Sequence, residues 1–253
     1  MTAPGRELPV KRRYSLLDAL RGLTVASMVG YHFCYDWFII CGADPQWWRL
    51  APVRVWQQSI CWTFILLAGV CFHLGRRRWR SGVIISIWGA VVTAVTVLAE
   101  PSQAIWYGVL TLHGASILLV CALKPLLEKI PTGAGGAVSF LLFALTYPVQ
   151  RGALGLPGLE LRLPGSWYQT GWLTFLGFPG PGFASSDYFP LLPWFFLYLT
   201  GYFLGRVLLE RPAEALYRKV PGLDWVGRHS LLVYLLHQPV CLGVALLAAR
   251  VLG

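Results

Sequence analysis

The sequence predicts an all-α membrane protein, a polytopic bundle of about seven transmembrane helices with its N-terminus on the cytoplasmic side. Three observations carry this expectation. The chain of 253 residues is 56% hydrophobic and only 13% charged, whereas a soluble domain carries roughly 25% charged residues. Its apolar runs repeatedly approach the ~20 residues that a spanning helix needs. Its basic residues gather in alternate connections, which is how a polytopic protein records its orientation.

Residues 1–13 read as a cytoplasmic basic tail ending in Lys11, Arg12 and Arg13, and 14–253 as a single transmembrane domain. No charged segment followed by a short apolar core and a small-residue cleavage site opens the chain, so no removable signal peptide is expected. The first helix spans 16–38 and leads into an interfacial loop marked by Pro45, Trp47 and Trp48. The second covers 53–75 and stops at Arg76, Arg77, Arg78 and Arg80, and the third covers 82–99, ending at Glu100 and Pro101. The fourth, 104–123, precedes Lys124 and Lys129. The fifth, 134–149, is weaker because Gly133, Gly135 and Gly136 blur its start. Residues 150–187 form a Gly/Pro-rich extracytoplasmic connection. Its apolar patch Trp172–Phe178 is too short to span and is read as re-entrant or interfacial. The sixth helix covers 188–209 and the seventh 228–250. A cytoplasmic N-terminus then puts Arg76–Arg80, Lys124, Lys129, Arg206, Arg211, Arg218 and Lys219 on one side, and an odd number of spans puts the C-terminus on the other.

The net charge of +10 therefore reports topology rather than nucleic-acid binding. Cys34, Cys41, Cys61, Cys71, Cys121 and Cys241 lie almost entirely in apolar segments without CxxC or Cys/His spacing. They read as small buried residues, and no metal is expected.

Ionisable groups at membrane depth cost ~2.5–3.5 kcal/mol on the insertion scale, so they face the protein interior and mark function. The first span carries Asp18 and Arg21 near its start and His32 and Asp36 in its outer half. His32 and Asp36 are four apart and share a helix face. A carboxylate beside an imidazole fixes its tautomer and raises its basicity, which makes the two a candidate catalytic pair. His113 on the fourth span, His237 and Gln238 on the seventh, and Asp187 at the mouth of the sixth are candidate substrate-binding residues around an outward-facing polar cavity. On the cytoplasmic side Arg21, Arg228, Arg76, Arg77 and Arg78 are candidates for holding phosphates.

Plainer readings stand beside these. The arginine cluster is first a topology signal, and Asp18 caps the first helix or pairs with Arg21. Asp187 caps the sixth helix, His229 is a helix-end residue, and a lone histidine such as His113 or His237 bonds a neighbouring helix. A transporter or flippase using the same His/Asp groups as a solute or proton pathway is the alternative function. No internal repeat and no pair of broken helices in matching halves supports it.

The stretch LDALRGLTVASMVGYHF (Leu17–Phe33) resembles the opening helix of membrane acyltransferases. Acyltransferase family 3 has a similar LDGLRG start and the same ten-residue gap between arginine and histidine that separates Arg21 from His32 here. Four further stretches, LLAGVCFHLG, YGVLTLHG, DYFPLLPWFFLYLTGYFLG and GRHSLLVYLLHQPV, are similar to bacterial proteins with a heparan-α-glucosaminide N-acetyltransferase catalytic domain. The resemblance implies a bacterial inner-membrane enzyme that passes an acyl group, acetyl by default, from cytoplasmic acetyl-CoA or another acyl-CoA to a hydroxyl or amine of an extracytoplasmic sugar or glycan. It implies lipid bilayer, acyl-CoA and a carbohydrate acceptor as partners, with a homodimer left open. It maps Arg21 on the family arginine and His32 on the catalytic histidine. The lysosomal member places its active histidine in the loop before the second helix, where this chain has Trp47, Trp48 and Arg49. The catalytic role therefore falls to His32 or to another histidine.

Overall fold

The structure is a computed structural model and describes residues 12–252, so most of the basic tail of residues 1–13 lies outside the described residues. Eight α-helices appear among the described residues, α1 (Ser15–Tyr35), α2 (Ala51–Cys71), α3 (Arg78–Ala99), α4 (Val109–Leu127), α5 (Thr132–Thr146), α6 (Leu191–Glu210), α7 (Leu223–Arg228) and α8 (Ser230–Leu252). Six helical segments are long and apolar enough to cross a membrane, namely α2 through α6 and α8. α1 is not among the six; Asp18 and Arg21 sit in its first two turns.

The chain forms two compact units, with residues 54–211 inserted between the two parts of the other. In the first unit α1 packs along α7 and α8. The approach to α7 is backbone to backbone. A Cβ at Gly22 would lie 1.9 Å from the Leu223 carbonyl oxygen, and one at Gly227 would lie 1.7 Å from the Asp18 carbonyl oxygen. Asp18 closes the same contact with charge, accepting from Arg13 Nε at 2.6 Å and from Arg21 at 3.4 Å. Its hydrogen bond holds the Arg13 guanidinium pKa above the ordinary value. Arg21 also reaches the Gly227 carbonyl at 3.4 Å. Arg12 pairs with Glu214 and lies over Tyr217. The expected seventh span, 228–250, is α8 to within two residues, and the short α7 ahead of it, ending at Arg228, serves as a strut against α1.

α1 does not stop at Tyr35 but widens into a π-turn over Asp36–Ile40, in which the Cys41 N–H bonds the Asp36 carbonyl at 2.8 Å. Such turns are rare and frequently mark functional positions.

In the second unit helices meet through small residues, as expected where lipid offers no hydrophobic drive for association. The backbones of α2 and α6 touch at Gly69 and Gly201. α3 and α4 meet where a Cβ on Gly114 would fall 2.2 Å from Ser86 Oγ. Of the glycines that blurred the fifth span, Gly135 has the same purpose, since it lies under the Phe203 ring. Helix ends are closed by cations. Arg78 donates to the Phe72 and His73 carbonyls at 2.9 and 3.2 Å, and Arg206 to those of Leu127 and Ile130 at 3.1 and 3.2 Å. Between α5 and α6 lies an unexpected antiparallel hairpin, β1 (Ala153–Leu156) with β2 (Leu159–Arg162). Its turn, Pro157–Gly158 with Gly158 at φ +85°, follows the rule of proline first and a positive-φ glycine second. The Trp172–Phe178 patch forms one 3-10 turn, Thr174–Leu176, with Trp172 exposed and Phe178 buried.

These contacts give a direct contrast. Gly227→Leu forces a side chain into the Asp18 carbonyl and is expected to cost at least ~1–3 kcal/mol. Gly133→Ala, with open space around its Cβ, is expected to be neutral or to stabilise by up to ~0.5–1 kcal/mol. Thermal unfolding midpoints in detergent measure both, and equal midpoints for the two variants contradict the packing assigned here.

Candidate functional site

The first unit brings four of the expected residues together. His32, in the last turn of α1, lies edge-on to His237 of α8, with ring centroids 4.7 Å apart at 66°. One residue on, Gln238 donates from Nε2 to Asp36 Oδ1 at 3.1 Å. Asp36 is 0% exposed. The expected carboxylate–imidazole pair is corrected in detail. Among the described residues no hydrogen bond or ion pair joins Asp36 to His32; Asp36 is met by the Gln238 amide, and His32 by the neighbouring His237 ring. Spacing on one helix could not reveal this, because both partners come from α8, some 200 residues away in sequence.

His237 has a defined tautomer. Its Nδ1 lies 2.6 Å from the Tyr234 carbonyl, and a carbonyl only accepts, so Nδ1 carries the proton. The neutral ring then presents the lone pair of Nε2, which has no hydrogen-bond partner among the described residues; the same holds for Asp36 Oδ2 and Gln238 Oε1. Buried polar atoms are nearly always satisfied, and three without a protein partner lie together here beside two imidazoles.

The second unit holds the other two substrate-binding candidates. His113 Nδ1 donates to the Val109 carbonyl at 2.7 Å, and its ring is buried beside Phe64 and Tyr198. Asp187 Oδ2 accepts the Val109 N–H at 3.0 Å. Asp187 thus caps α4 rather than the sixth span, and both residues converge on the first turn of α4. Asp187 also lines a cleft of about 360 Å³ with Gln57, Gln58, Tyr147, Arg151 and Trp194 among its walls. The cleft lies at the start of α2, the end of α5 and the start of α6, the opposite end of α2 from Arg76–Arg80. Gln58 is locked in place, since its Oε1 accepts from Trp62 Nε1 at 3.2 Å and from the Tyr147 hydroxyl at 3.0 Å. Its amide N–H2 remains a donor for a ligand. Tyr188, also on the wall, donates to the Thr174 carbonyl, and burial pushes its hydroxyl pKa up, so it stays a donor. The sequence reading missed these walls. The available signal was the amide pair Gln57–Gln58 inside an otherwise apolar span.

Among the phosphate candidates, Arg21 and Arg78 are engaged with carbonyls and, for Arg21, with Asp18. Arg76, Arg77 and Arg228 are exposed. No group of three or more potential metal ligands occurs among the described residues.

Six helical segments of spanning length in an all-α chain define a multi-pass helical membrane protein, with a half-buried imidazole–amide–carboxylate cluster in its first unit. Residues 13–239 match the family described as heparan-alpha-glucosaminide N-acetyltransferase, catalytic, and the chain belongs to that family. It is thereby a membrane acyltransferase in general type. No curated protein and no solved structure gives a significant match to the chain.

The Asp36–Gln238 bond itself can be tested. Gln238→Leu removes the Asp36 Oδ1 partner and is expected to destabilise by ~1–3 kcal/mol, the usual cost of orphaning a buried polar group. Adding Asp36→Leu is expected to recover part of that loss, as coupled neighbours do. Additive losses in the unfolding midpoints contradict that bond.

Proposed function

We propose that the protein transfers an acetyl group from acetyl-CoA on the cytoplasmic side to a hydroxyl or amine of an extracytoplasmic sugar. The observation that carries this is the His32–His237 contact with Gln238 bonded to Asp36, in a chain of the acetyltransferase family. α1 is taken as a seventh span, with the N-terminus and Arg76–Arg80 cytoplasmic, in a bacterial inner membrane. The distribution of basic residues supports this orientation.

His32 acts as general base. It takes the proton from the acceptor oxygen or nitrogen as that atom attacks the thioester carbonyl carbon. The carbon–sulfur bond breaks, and His32 returns the proton to the departing sulfur, giving acylated acceptor and free thiol. In a two-step variant His32 is itself acylated before the acceptor attacks. Gln238, anchored on Asp36, orients His32. His237, with Nδ1 held by Tyr234, offers Nε2 to the acceptor. The exposed Arg76, Arg77 and Arg228 attract the phosphates of the donor, with Arg21 and Arg78 in secondary positions because their guanidinium groups already serve the fold. The cleft of the second unit is taken by itself as a sugar-binding place. Asp187, Gln58 and Arg151 bond hydroxyls in the cleft, Trp194 and Tyr147 supply apolar ring surface, and His113 holds the turn that Asp187 caps. Polar groups of fixed orientation on a largely aromatic wall are the usual make-up of a small-molecule site.

Purified protein in lipid vesicles, given acetyl-CoA and an amino sugar and assayed by thiol release, tests the reading. His32→Ala is expected to lose ~10²–10⁴-fold in kcat while running unchanged on gel filtration. Arg151→Ala is expected to raise the acceptor KM and leave the donor KM alone. Full activity of folded His32→Ala overturns the assignment of the base, and no acetyl-CoA turnover by the wild type with any hydroxyl or amine acceptor overturns the function.

A further inference from the structure

The hairpin between α5 and α6 has two unlike sides. Its register pairs Ala153 with Arg162, Leu154 with Leu161, Gly155 with Glu160 and Leu156 with Leu159. Alternate strand residues point to opposite sides, and directly paired residues share a side. Leu154, Leu156, Leu159 and Leu161 therefore form one face, and Ala153, Gly155, Glu160 and Arg162 the other. Ala153 is buried, and β1 packs against α5. The leucine face is bare, with Leu156 41%, Leu161 71% and Leu159 79% exposed.

A two-stranded hairpin is marginally stable by itself, yet this one is fixed at its base. Leu163 N–H bonds the Gly152 carbonyl at 2.9 Å, and the Tyr168 hydroxyl bonds that of Val149. Its place is fixed too. The apolar segment that begins as α5 ends at Arg151, and β1 starts two residues later. Four residues at ~3.3 Å each reach only about 13 Å, so the hairpin cannot leave the neighbourhood of the bilayer surface. Arg151 and Arg162 stand at its base, and the same connection exposes Trp167 and Trp172, the residue types that settle at headgroup level.

We propose that the leucine face of this hairpin lies in the interfacial layer of the bilayer at the end of α5, with Arg162 at the phosphates. A second copy of the chain is the weaker occupant. Two four-residue strands ~4.8 Å apart present on the order of 100 Å², whereas a stable interface buries about 800 Å² per partner. The bilayer needs no such area, because the adjoining span already holds the hairpin at its surface.

A benzophenone amino acid replacing Leu159, or in separate proteins Leu161 or Glu160, reports what touches each side. The full chain is reconstituted in phosphatidylcholine–phosphatidylglycerol vesicles with a trace of fluorescent phospholipid and irradiated. Several-fold more lipid adduct at positions 159 and 161 than at 160 is expected, and a benzophenone at Val138 on α5 serves as the lipid-exposed control. A dimer-sized adduct at 159 in place of the lipid adduct overturns the proposal in favour of an interface between copies. Equal labelling at 159 and 160, or none at 159 with labelling at 138, overturns it in favour of a face turned to water. None of these outcomes depends on the acetyl-transfer reading.

Discussion

Helix backbones in direct contact are the constraint on which the arrangement depends. Lipid tails are as apolar as leucine, so helices in a bilayer gain little from hiding apolar surface and hold together by close packing and polar contacts. At Gly22 and Gly227 the α1 and α7 backbones leave no room for a Cβ. That contact fixes where α7 ends, and therefore where α8 starts. α8 then packs on α1, with Cys241 near the Val29 carbonyl and Gln238 on Asp36. His237 meets His32 because a glycine-tight contact several turns away set the line of approach. The chemistry of this unit is positioned by its smallest side chains.

The buried carboxylate shows where stability has been given up. Asp36 receives a hydrogen bond from a neutral amide, and its second oxygen has none among the described residues. Burying a charge or an acid with so little compensation costs free energy, and a Leu–Leu pair in its place would pack without that cost. A second expensive feature, the π-turn that begins at Asp36, sits in the same place. Two local costs at one position, beside two imidazoles, fit a site retained for chemistry better than one retained for folding.

The sequence disclosed what depends on local composition. Hydropathy marked the apolar helices to within a few residues, and the rarity of polar groups in them singled out His32, Asp36, His237 and Gln238. It did not disclose what depends on distant partners. Asp36 and His32 were paired by helical spacing, but the π-turn and the arrival of Gln238 gave Asp36 another partner. Asp187 was assigned to the helix that follows it, whereas the chain folds it back on Val109. The cleft walls come from three helical segments and the loop before α6, and the amide pair Gln57–Gln58 is the one local sign of them. The hairpin was the exception, since Leu-Pro-Gly-Leu between alternating residues is a local turn signal that the surrounding glycines and prolines obscured.

The arginines show how one residue type divides between fold and function. Arg78 and Arg206 close carbonyl ends of helices, where the dipole and unpaired carbonyls favour a cation. Arg21 shares Asp18 with Arg13 and reaches the Gly227 carbonyl. The LDALRG stretch is thus, in this structure, the clamp between α1 and α7, with glycine supplying proximity and arginine the polar tie. The part of the resemblance on which the proposed chemistry rests lies further along the same helix, at His32. A guanidinium already bound to backbone carbonyls has fewer donors left for a phosphate, and releasing it would orphan those carbonyls. The exposed Arg76, Arg77 and Arg228 incur no such loss on meeting an anion. Contact with a phosphate-bearing donor is therefore cheapest for the arginines that the fold does not use.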